Sequence, residues 1–201
     1  MIKVICFDLG KVIINFDYAQ SLQELAKITP LPITEVMRVL ADDSLVLDYE
    51  TGKISTADFY RLVSETLKLS ASLEKFKQLW GSMFLPEPLL SESFLQALKK
   101  TYRLILLSNT NEIHFEFVRE KYAILSHIEE HVLSYQVGWM KPHSQIYRAA
   151  IERAGVPAEQ IFFTDDRQEN VEAARMAGIQ AVQFHSEDQL KREMRLLGIS
   201  F

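Results

Sequence analysis

Three short apolar segments of this chain each end in side chains that could do chemistry. The first segment ends in Asp8, the second in Ser108 and Asn109, and the third in Asp165 and Asp166. Because the carboxyl ends of parallel strands meet at one edge of a sheet, strands at these segments would bring the polar groups together. Each group alone is more often the cap of the next helix, but the coincidence of three favours a single site.

Carboxylates, a hydroxyl and a lysine at one sheet edge suit phosphate chemistry. Clustered carboxylates repel each other unless a proton or a cation lies between them, and Mg²⁺ prefers such oxygen ligands together with substrate phosphate. The Ser108 hydroxyl and the backbone N–H groups of the following turn suit phosphate oxygens. Lys141 precedes a proline and a helix, where its ammonium could neutralise a phosphoryl group, although a lone lysine is usually a surface residue.

The elements that would position these residues alternate between strands and helices. Short β-rich runs predict strands at 2–8, 102–109, 131–136, 160–166 and 179–185. Apolar residues at helical spacing predict helices at 89–101, 111–121, 143–154, 168–177 and 187–197. This alternation predicts an α/β fold: a Rossmann-like core whose parallel sheet is covered by helices on both faces.

The stretch 17–86 interrupts this alternation and shows no convincing strand. It predicts helices at about 18–28, 33–40, 55–69 and 72–81, with Asp42-Asp43 in a loop between two of them. We interpret it as an all-helical cap inserted after the first strand. The predicted domains are therefore a core of residues 1–16 and 87–201 and a cap of residues 17–86.

Composition and charge narrow the function classes. The chain has 201 residues, 48% of them hydrophobic, which fits one domain with a small insert and argues against disorder. A net charge of −5 without a long basic run argues against nucleic acid or an anionic membrane as a partner. The single cysteine, Cys6, suits a reducing compartment, and we find neither a signal peptide nor a transmembrane-length run. We expect a cytoplasmic monomer or homodimer that binds a small molecule.

Four ordered motifs are similar to those of the haloacid dehalogenase-like (HAD) hydrolase superfamily: FDLGKVI, LLSNT, GWMKP and FFTDDRQENVEAARMAG. The helical insert resembles that family's C1-type cap, so the resemblance spans essentially the whole chain. FDLG, LSNTN and ETGKIS resemble the branch that contains bacterial glucose-1-phosphate phosphatases and the N-terminal phosphatase domain of epoxide hydrolases. The resemblance implies a Mg²⁺-dependent phosphatase that acts on a small phosphorylated metabolite such as a sugar phosphate.

The resemblance also implies roles for individual residues. Asp8 matches the nucleophile, which attacks phosphorus and forms an aspartyl-phosphate. Ser108 and the backbone N–H of Asn109 match the phosphate-binding groups. Lys141 matches the lysine that holds the nucleophile and the phosphoryl charge.

The same resemblance implies a metal site. Asp8, the backbone carbonyl of Gly10 and Asp166 match the Mg²⁺ ligands, and Asn170 matches the second acidic position of the last motif. Asp165 lies where many relatives have glycine, and we expect it to support the site by hydrogen bonding.

Gly10 departs from the family pattern. Relatives usually have Asp two residues after the nucleophile; it protonates the leaving group and activates water, work typically worth roughly 10²–10⁴-fold in rate. We favour a good leaving group, an anomeric oxygen or an acyl phosphate, as the explanation. A cap residue or water could instead supply the proton; Glu50 in YETGKIS is a candidate, although a carboxylate there is more often structural. The third interpretation is a degenerate family member with a phosphate-binding or regulatory role and little turnover.

Two other chemistries are weighed against this one. HIEEH (127–131) fits an inverted zinc-protease signature, but His131 opens a predicted strand, whereas such a site needs both histidines on one helix. We expect a chance match. Dehalogenases of the same superfamily attack carbon with the same aspartate and need no Mg²⁺; the Asp165-Asp166 pair argues against that reaction.

Overall fold

The computed structural model describes residues 1–40 and 43–201, and the elements below lie within those ranges. The strands are β1 (Val4–Phe7), β2 (Ile14–Phe16), β3 (Phe84–Pro88), β4 (Arg103–Ser108), β5 (Glu130–Leu133), β6 (Ile161–Asp165) and β7 (Gln180–Gln183). The helices of the N-terminal half are α1 (Tyr18–Ala26), α2 (Ile33–Leu40), α3 (Asp43–Glu50), α4 (Thr56–Leu67), α5 (Leu73–Gly81) and α6 (Glu92–Lys99). Those that follow are α7 (Glu112–Lys121), α8 (Ser134–Val137), α9 (Ser144–Ala154), α10 (Gln168–Met176) and α11 (Glu187–Leu196).

A five-stranded parallel sheet forms the centre of the molecule, in the order β5-β4-β1-β6-β7. β1 is the middle strand, and its Cys6 lies opposite Ile105 of β4 on one side and Phe163 of β6 on the other. The chain builds outward from β1 first through β4 and β5 and later through β6 and β7. The carboxyl end of β1 is therefore a topological switch point, where open α/β sheets bind ligands. The predicted α/β fold class is confirmed.

Both faces of the sheet are buried, as parallel sheets require. Ile5 and Phe7 of β1 contribute to one apolar layer, and Val4 and Cys6 contribute to the other. The first layer is completed by α6, α7 and α11, and the second by α9 and α10. Burial raises the pKa of the Cys6 thiol to about 12, so this cysteine is an inert core residue.

Helices α1 to α5 lie between β2 and β3 in the chain, and these two strands pair antiparallel in a small second sheet. The helices have their own apolar cluster, in which the rings of Phe76 and Phe59 lie 5.6 and 5.1 Å from that of Trp80. The expectation of no strand within 17–86 is wrong, because β3 begins at Phe84. The sequence FLPEP does not predict β3, because two prolines argue against a strand unless the strand lies at an edge. The division into core and cap at these boundaries stays a prediction, and below the word cap is used only as a name for helices α1 to α5.

One loop prediction and one strand prediction also change. α3 begins at Asp43, where a loop was expected, and Asp42 lies outside the described residues. The strand predicted at 131–136 ends at Leu133, and α8 starts at Ser134. The Ser134 hydroxyl accepts a hydrogen bond from Thr110 N and donates one to Thr110 O, which turns the chain away from the sheet.

The histidines of HIEEH lie on different elements. His127 ends a short 3₁₀ helix and its Nε2 lies 2.9 Å from Glu92 Oε1. His131 lies in β5, and its Nε2 donates to Ile128 O at 3.0 Å. Within residues 1–40 and 43–201, every helix is too short or too polar to span a bilayer.

The segment 49–56, which links α3 to α4, is fastened to the core by a chain of hydrogen bonds. Ile113 N donates to Tyr49 Oη at 3.2 Å, Tyr49 Oη lies 2.8 Å from Thr56 Oγ1, and Thr56 Oγ1 donates to the Glu112 carboxylate. Between these anchors, Gly52 has φ +68°, and a Cβ built on it would lie 2.0 Å from the Tyr135 carbonyl oxygen. The segment therefore lies directly against the core backbone.

This close approach gives a stability prediction with a matched control. Gly52→Ala and Gly155→Ala both place alanine at a positive φ, which costs about 1–2 kcal/mol. Gly155 (φ +62°) has nothing within 4 Å of its built Cβ, whereas Gly52 faces a backbone oxygen. We expect Gly52→Ala to lower the free energy of unfolding in urea by at least about 1 kcal/mol more than Gly155→Ala. Equal losses would show that segment 49–56 does not lie against Tyr135.

Candidate active site

The chemistry-bearing strand ends lie together at the carboxyl edge of the sheet. Asp8 directly follows β1, and its N–H still donates to Thr164 O of β6 at 3.0 Å. A cavity of about 190 Å³ opens above this edge. The predicted site residues that line it are Asp8, Gly10, Glu50, Ser108, Asn109, Lys141, Asp166 and Asn170. Asp165 is fully buried beneath the cavity instead of lining it.

Lys141 is the centre of the charge arrangement. Its Nζ lies 2.8 Å from Asp8 Oδ1 and 2.6 Å from Asp165 Oδ2, and it donates to Leu107 O at 2.9 Å. The side chain is 1% exposed, so all three ammonium donors are used inside the protein. Burial lowers the pKa of Lys141, but the two carboxylates together outweigh burial and the pKa is raised. The group is therefore a permanent buried cation.

Asn109 positions Lys141 through its side chain. Asn109 Oδ1 accepts from Lys141 N at 2.7 Å, and Asn109 Nδ2 donates to Lys141 O at 2.8 Å. This paired contact joins the end of β4 to the loop before α9. Sequence reasoning gave Asn109 only a backbone role; the amide side chain leaves that N–H available for a phosphate oxygen.

Asp8 is held through one of its two oxygens. Oδ1 contacts Lys141 and accepts from Leu9 N at 2.7 Å, so Oδ2 is the oxygen that no donor among the described residues reaches. Burial, aided by the charge of Asp165, raises the pKa of Asp8 to about 7, against the opposing effects of Lys141 and the Leu9 N–H. A second positive charge in the cavity would favour the ionised, nucleophilic form.

Three carboxylates form the acidic cluster of the site. Oxygens of Asp8, Asp165 and Asp166 all lie within 4.8 Å of one another. Burial and then the charge of Asp165 raise the pKa of Asp166. Asp165 is already committed, because its Oδ1 accepts from Arg167 N at 2.9 Å and from Asn170 Nδ2 at 2.8 Å. This leaves Asp8 and Asp166 to face a cation.

Further oxygens make the cluster suitable for Mg²⁺. Asn170 is buried, and its Oδ1 has no hydrogen-bond partner among the described residues. Across residues 1–40 and 43–201 no N–H donates to the Gly10 carbonyl either. Carboxylate, amide and carbonyl oxygens are the ligands that Mg²⁺ takes. The donor set fits the ion, with Asp8, Gly10 and Asp166 as the predicted ligands.

Phe16 occupies the space beside Gly10. A Cβ built on Gly10 would lie 2.6 Å from Phe16 Cε1. The ring is held by Tyr18, whose ring centroid is 4.9 Å away, and by Lys11, whose Nζ lies 4.7 Å from the centroid and donates to Phe16 O. An aspartate at position 10 would need this aromatic group to move. Sequence reasoning noted the glycine but missed Phe16, which lies six residues away on β2.

Glu50, at the end of α3, lies between two cavities. It lines the 190 Å³ cavity and also a second one of about 430 Å³ within the cap, together with Tyr18, Met83 and His114. The rest of the second cavity is mostly apolar and is lined by Ser21, Leu22, Met37, Leu40, Val46 and Trp80. Burial raises the pKa of Glu50 to about 7.

His114 joins the cap to the core. Its ring stacks on Trp80 at 5.6 Å, and its Nδ1 lies 3.0 Å from Asn111 Nδ2, which fixes Nδ1 as the acceptor. Burial lowers the pKa of His114 to about 4, with the Trp80 backbone acting in the opposite direction. The imidazole is therefore neutral at physiological pH.

His114 gives a pH prediction. The unfolded chain gains the His114 proton near pH 6.5 and the folded protein only near pH 4, so this stability is complete above pH 6.5 and is lost as pH falls to 4. The full loss is about 3 kcal/mol. We expect His114→Gln to flatten the dependence of the unfolding free energy on pH between 6.5 and 4 relative to wild type. Parallel slopes for wild type and His114→Gln would contradict this.

The Lys141 ion pairs give a second prediction. Lys141→Met leaves Asp8 and Asp165 buried without a counter-charge, which is expected to cost about 3–5 kcal/mol in urea unfolding at neutral pH. Adding Asp165→Asn removes one of the two charges and should restore part of the loss. A double variant no more stable than Lys141→Met would show that the two groups are not coupled.

Comparisons with known proteins agree with this geometry. A family model described as haloacid dehalogenase-like hydrolase matches residues 2–178. The chain is 26% identical over 203 residues to the D-ribitol-5-phosphate phosphatase of Bacteroides thetaiotaomicron, with 98% of each chain covered. A HAD family enzyme from B. thetaiotaomicron, solved in complex with magnesium and inorganic phosphate, superposes with a TM-score of 0.81 at 27% identity, covering 93% of this chain and 96% of that one.

A more distant neighbour shows the fold alone. An L-2-haloacid dehalogenase from Xanthobacter autotrophicus, with chloropropionic acid covalently bound, has a TM-score of 0.63 and 18% identity, covering 100% of this chain and 85% of that one. The family model spans most of the sequence, and the ordered motifs lie at the strand ends of the fold. The predicted resemblance is confirmed, and the chain belongs to the haloacid dehalogenase-like hydrolase family.

Proposed function

We propose that this hydrolase is a Mg²⁺-dependent phosphatase that acts on a small phosphorylated metabolite such as a sugar or sugar-alcohol phosphate. The observation that carries the proposal is the Asp8 carboxylate, held by Lys141 at the base of a 190 Å³ cavity and next to Asp166. Two similarities support it: the ribitol-5-phosphate phosphatase, and the neighbour that binds magnesium and phosphate.

The chain's own groups account for a two-step reaction. An Asp8 oxygen attacks phosphorus, the bond from phosphorus to the leaving oxygen breaks, and the phosphoryl group is carried on Asp8. Water then attacks that phosphorus, which releases phosphate and regenerates Asp8. Lys141 neutralises charge throughout, and Ser108 with the Asn109 N–H binds the phosphoryl oxygens. When bound, Mg²⁺ supplies positive charge that reduces repulsion between the carboxylates and the phosphate.

The cap defines the space for the leaving group. Tyr18 of α1 and Glu50 of α3 line the cavity, and excluding bulk water there would strengthen the electrostatic interactions around Asp8. The second cavity shares four lining residues with the first: Tyr18, Glu50, Met83 and His114. Its mostly apolar lining means that the substrate screen should include alkyl and aryl esters beside sugar phosphates.

A second candidate function rests on Gly10. With Phe16 in the space of the usual acid, the protein could bind phosphate with little turnover. The intact ion pairs of Lys141 with Asp8 and Asp165 argue for turnover, because a binding protein has no need of an unprotected nucleophilic oxygen.

A phosphate-release screen tests the proposal. Wild type with Mg²⁺ is expected to release phosphate from at least one small phosphate ester, and EDTA is expected to abolish the activity. Asp8→Asn should reduce turnover to background because an amide cannot take up the phosphoryl group. Asp188→Asn, an exposed carboxylate outside both cavities, is the matched control and should be fully active. Activity that survives Asp8→Asn or EDTA would contradict the mechanism.

A further inference from the structure

The site needs a proton donor that position 10 does not supply. When the bond from phosphorus to an alkoxide breaks, the leaving oxygen must gain a proton, and the attacking water must later lose one. Gly10 has no side chain, and Phe16 fills the adjoining space at 2.6 Å from a built Cβ. The following inference rests on the proposed phosphatase function.

Most titratable groups around the 190 Å³ cavity are already committed. Asp8 is the proposed nucleophile, and Asp166 belongs to the acidic cluster. Lys141 is enclosed by two carboxylates. Lys11 donates to the Phe16 carbonyl at 2.9 Å, and Arg167 pairs with the Glu169 carboxylate.

Two further groups are unsuitable for proton transfer. His114 is neutral near pH 7, and its Nδ1 is occupied by the Asn111 amide. Partial burial of the Tyr18 hydroxyl, followed by the nearby charge of Glu50, raises the pKa of Tyr18, so it does not readily give up a proton. Glu50 is the carboxyl group that remains among the described residues lining the cavity.

The cap segment holds Glu50 at the cavity. Tyr49, its neighbour in sequence, accepts a hydrogen bond from Ile113 N, and Gly52 lies against the Tyr135 carbonyl. Within residues 1–40 and 43–201 the Glu50 carboxyl has no hydrogen-bond or ion-pair partner, and it is half-buried. An unpartnered and partly dehydrated carboxyl that faces a cavity from an anchored segment is suited to exchange protons with what binds there.

We propose that Glu50 is the general acid and base of this enzyme, supplied by the cap. In the first step the Glu50 proton passes to the leaving oxygen as its bond to phosphorus breaks. In the second step the Glu50 carboxylate takes a proton from the water that attacks the phosphoryl group on Asp8. The cycle ends with phosphate, the free Asp8 carboxylate and a protonated Glu50, so protons and electrons balance.

The pKa of Glu50, raised to about 7 by burial, is suited to both steps. The other charged and titratable groups that line the 190 Å³ cavity are Asp8, Lys11, Tyr18, His114, Lys141, Asp166 and Arg167. Because Glu50 lies on α3 and Asp8 directly follows β1 of the large sheet, proton transfer to poor leaving groups requires α3 to stay packed beside the cavity.

A leaving-group series tests this directly. We compare wild type and Glu50→Gln on p-nitrophenyl phosphate, whose leaving group needs no proton, and on an alkyl phosphate such as ribitol 5-phosphate. The expected loss of kcat is about 10²–10⁴-fold for the alkyl ester and less than 10-fold for the aryl ester. Glu50→Asp should retain part of the alkyl-ester activity. Glu65→Gln, at an exposed cap glutamate, is the matched control and should match wild type.

The outcomes separate the proposals. An equal loss of kcat on both esters would indicate a structural role for Glu50 and would overturn the inference. A kcat of Glu50→Gln equal to that of wild type on the alkyl ester would overturn it too. If wild type itself is slow on alkyl esters and Glu50→Gln is no slower, a good leaving group explains Gly10 instead. If wild type hydrolyses no ester while the protein is folded, the phosphatase proposal fails together with this one.

Discussion

The buried ammonium of Lys141 is the interaction on which the rest of the site depends. Two carboxylates, Asp8 and Asp165, lie within 2.8 Å of it in a region that water barely reaches. Without the cation, burial would drive at least one of them to accept a proton. The central position of β1 between β4 and β6 places the three groups together, and the Asn109 amide fixes the loop that brings Lys141 to them. The order of the strands therefore determines which charged groups meet and so how the buried charge is balanced.

A second constraint comes from the small sheet that leads into the cap. Phe16 ends β2 with its ring against Gly10, so the first strand's loop can offer the backbone carbonyl of residue 10 but no side chain. A proton donor for the proposed reaction would then have to lie elsewhere in the cavity. The YETGKIS segment carries Glu50 to that cavity and is itself fastened to α7 through Tyr49 and Thr56. In our proposal, Glu50 of the cap serves as the general acid in place of a side chain at position 10.

The sequence predicts the sheet edge well because apolar runs that stop abruptly at Asp8, Ser108 and Asp165 mark strand ends. It fails for β2 and β3, whose pairing depends on contacts between residues about 70 positions apart and on prolines tolerated only at an edge. The contact of Phe16 with Gly10 and the paired hydrogen bonds of Asn109 have no periodic signal, since they arise from loop geometry. The family resemblance predicts Asp8 as the nucleophile, but only the three-dimensional arrangement shows that the Phe16 ring fills the space beside Gly10.

The most direct measurement is the detection of the phosphorylated intermediate on Asp8. The enzyme is mixed with a smaller amount of a substrate that it hydrolyses, and the reaction is stopped with acid at successive times. The protein is then digested, and its peptides are analysed by mass spectrometry. The account predicts a phosphoryl group on the peptide that contains Asp8, appearing before free phosphate and absent from Asp8→Asn. Phosphate release by wild type with no phosphorylated Asp8 at any time would contradict it.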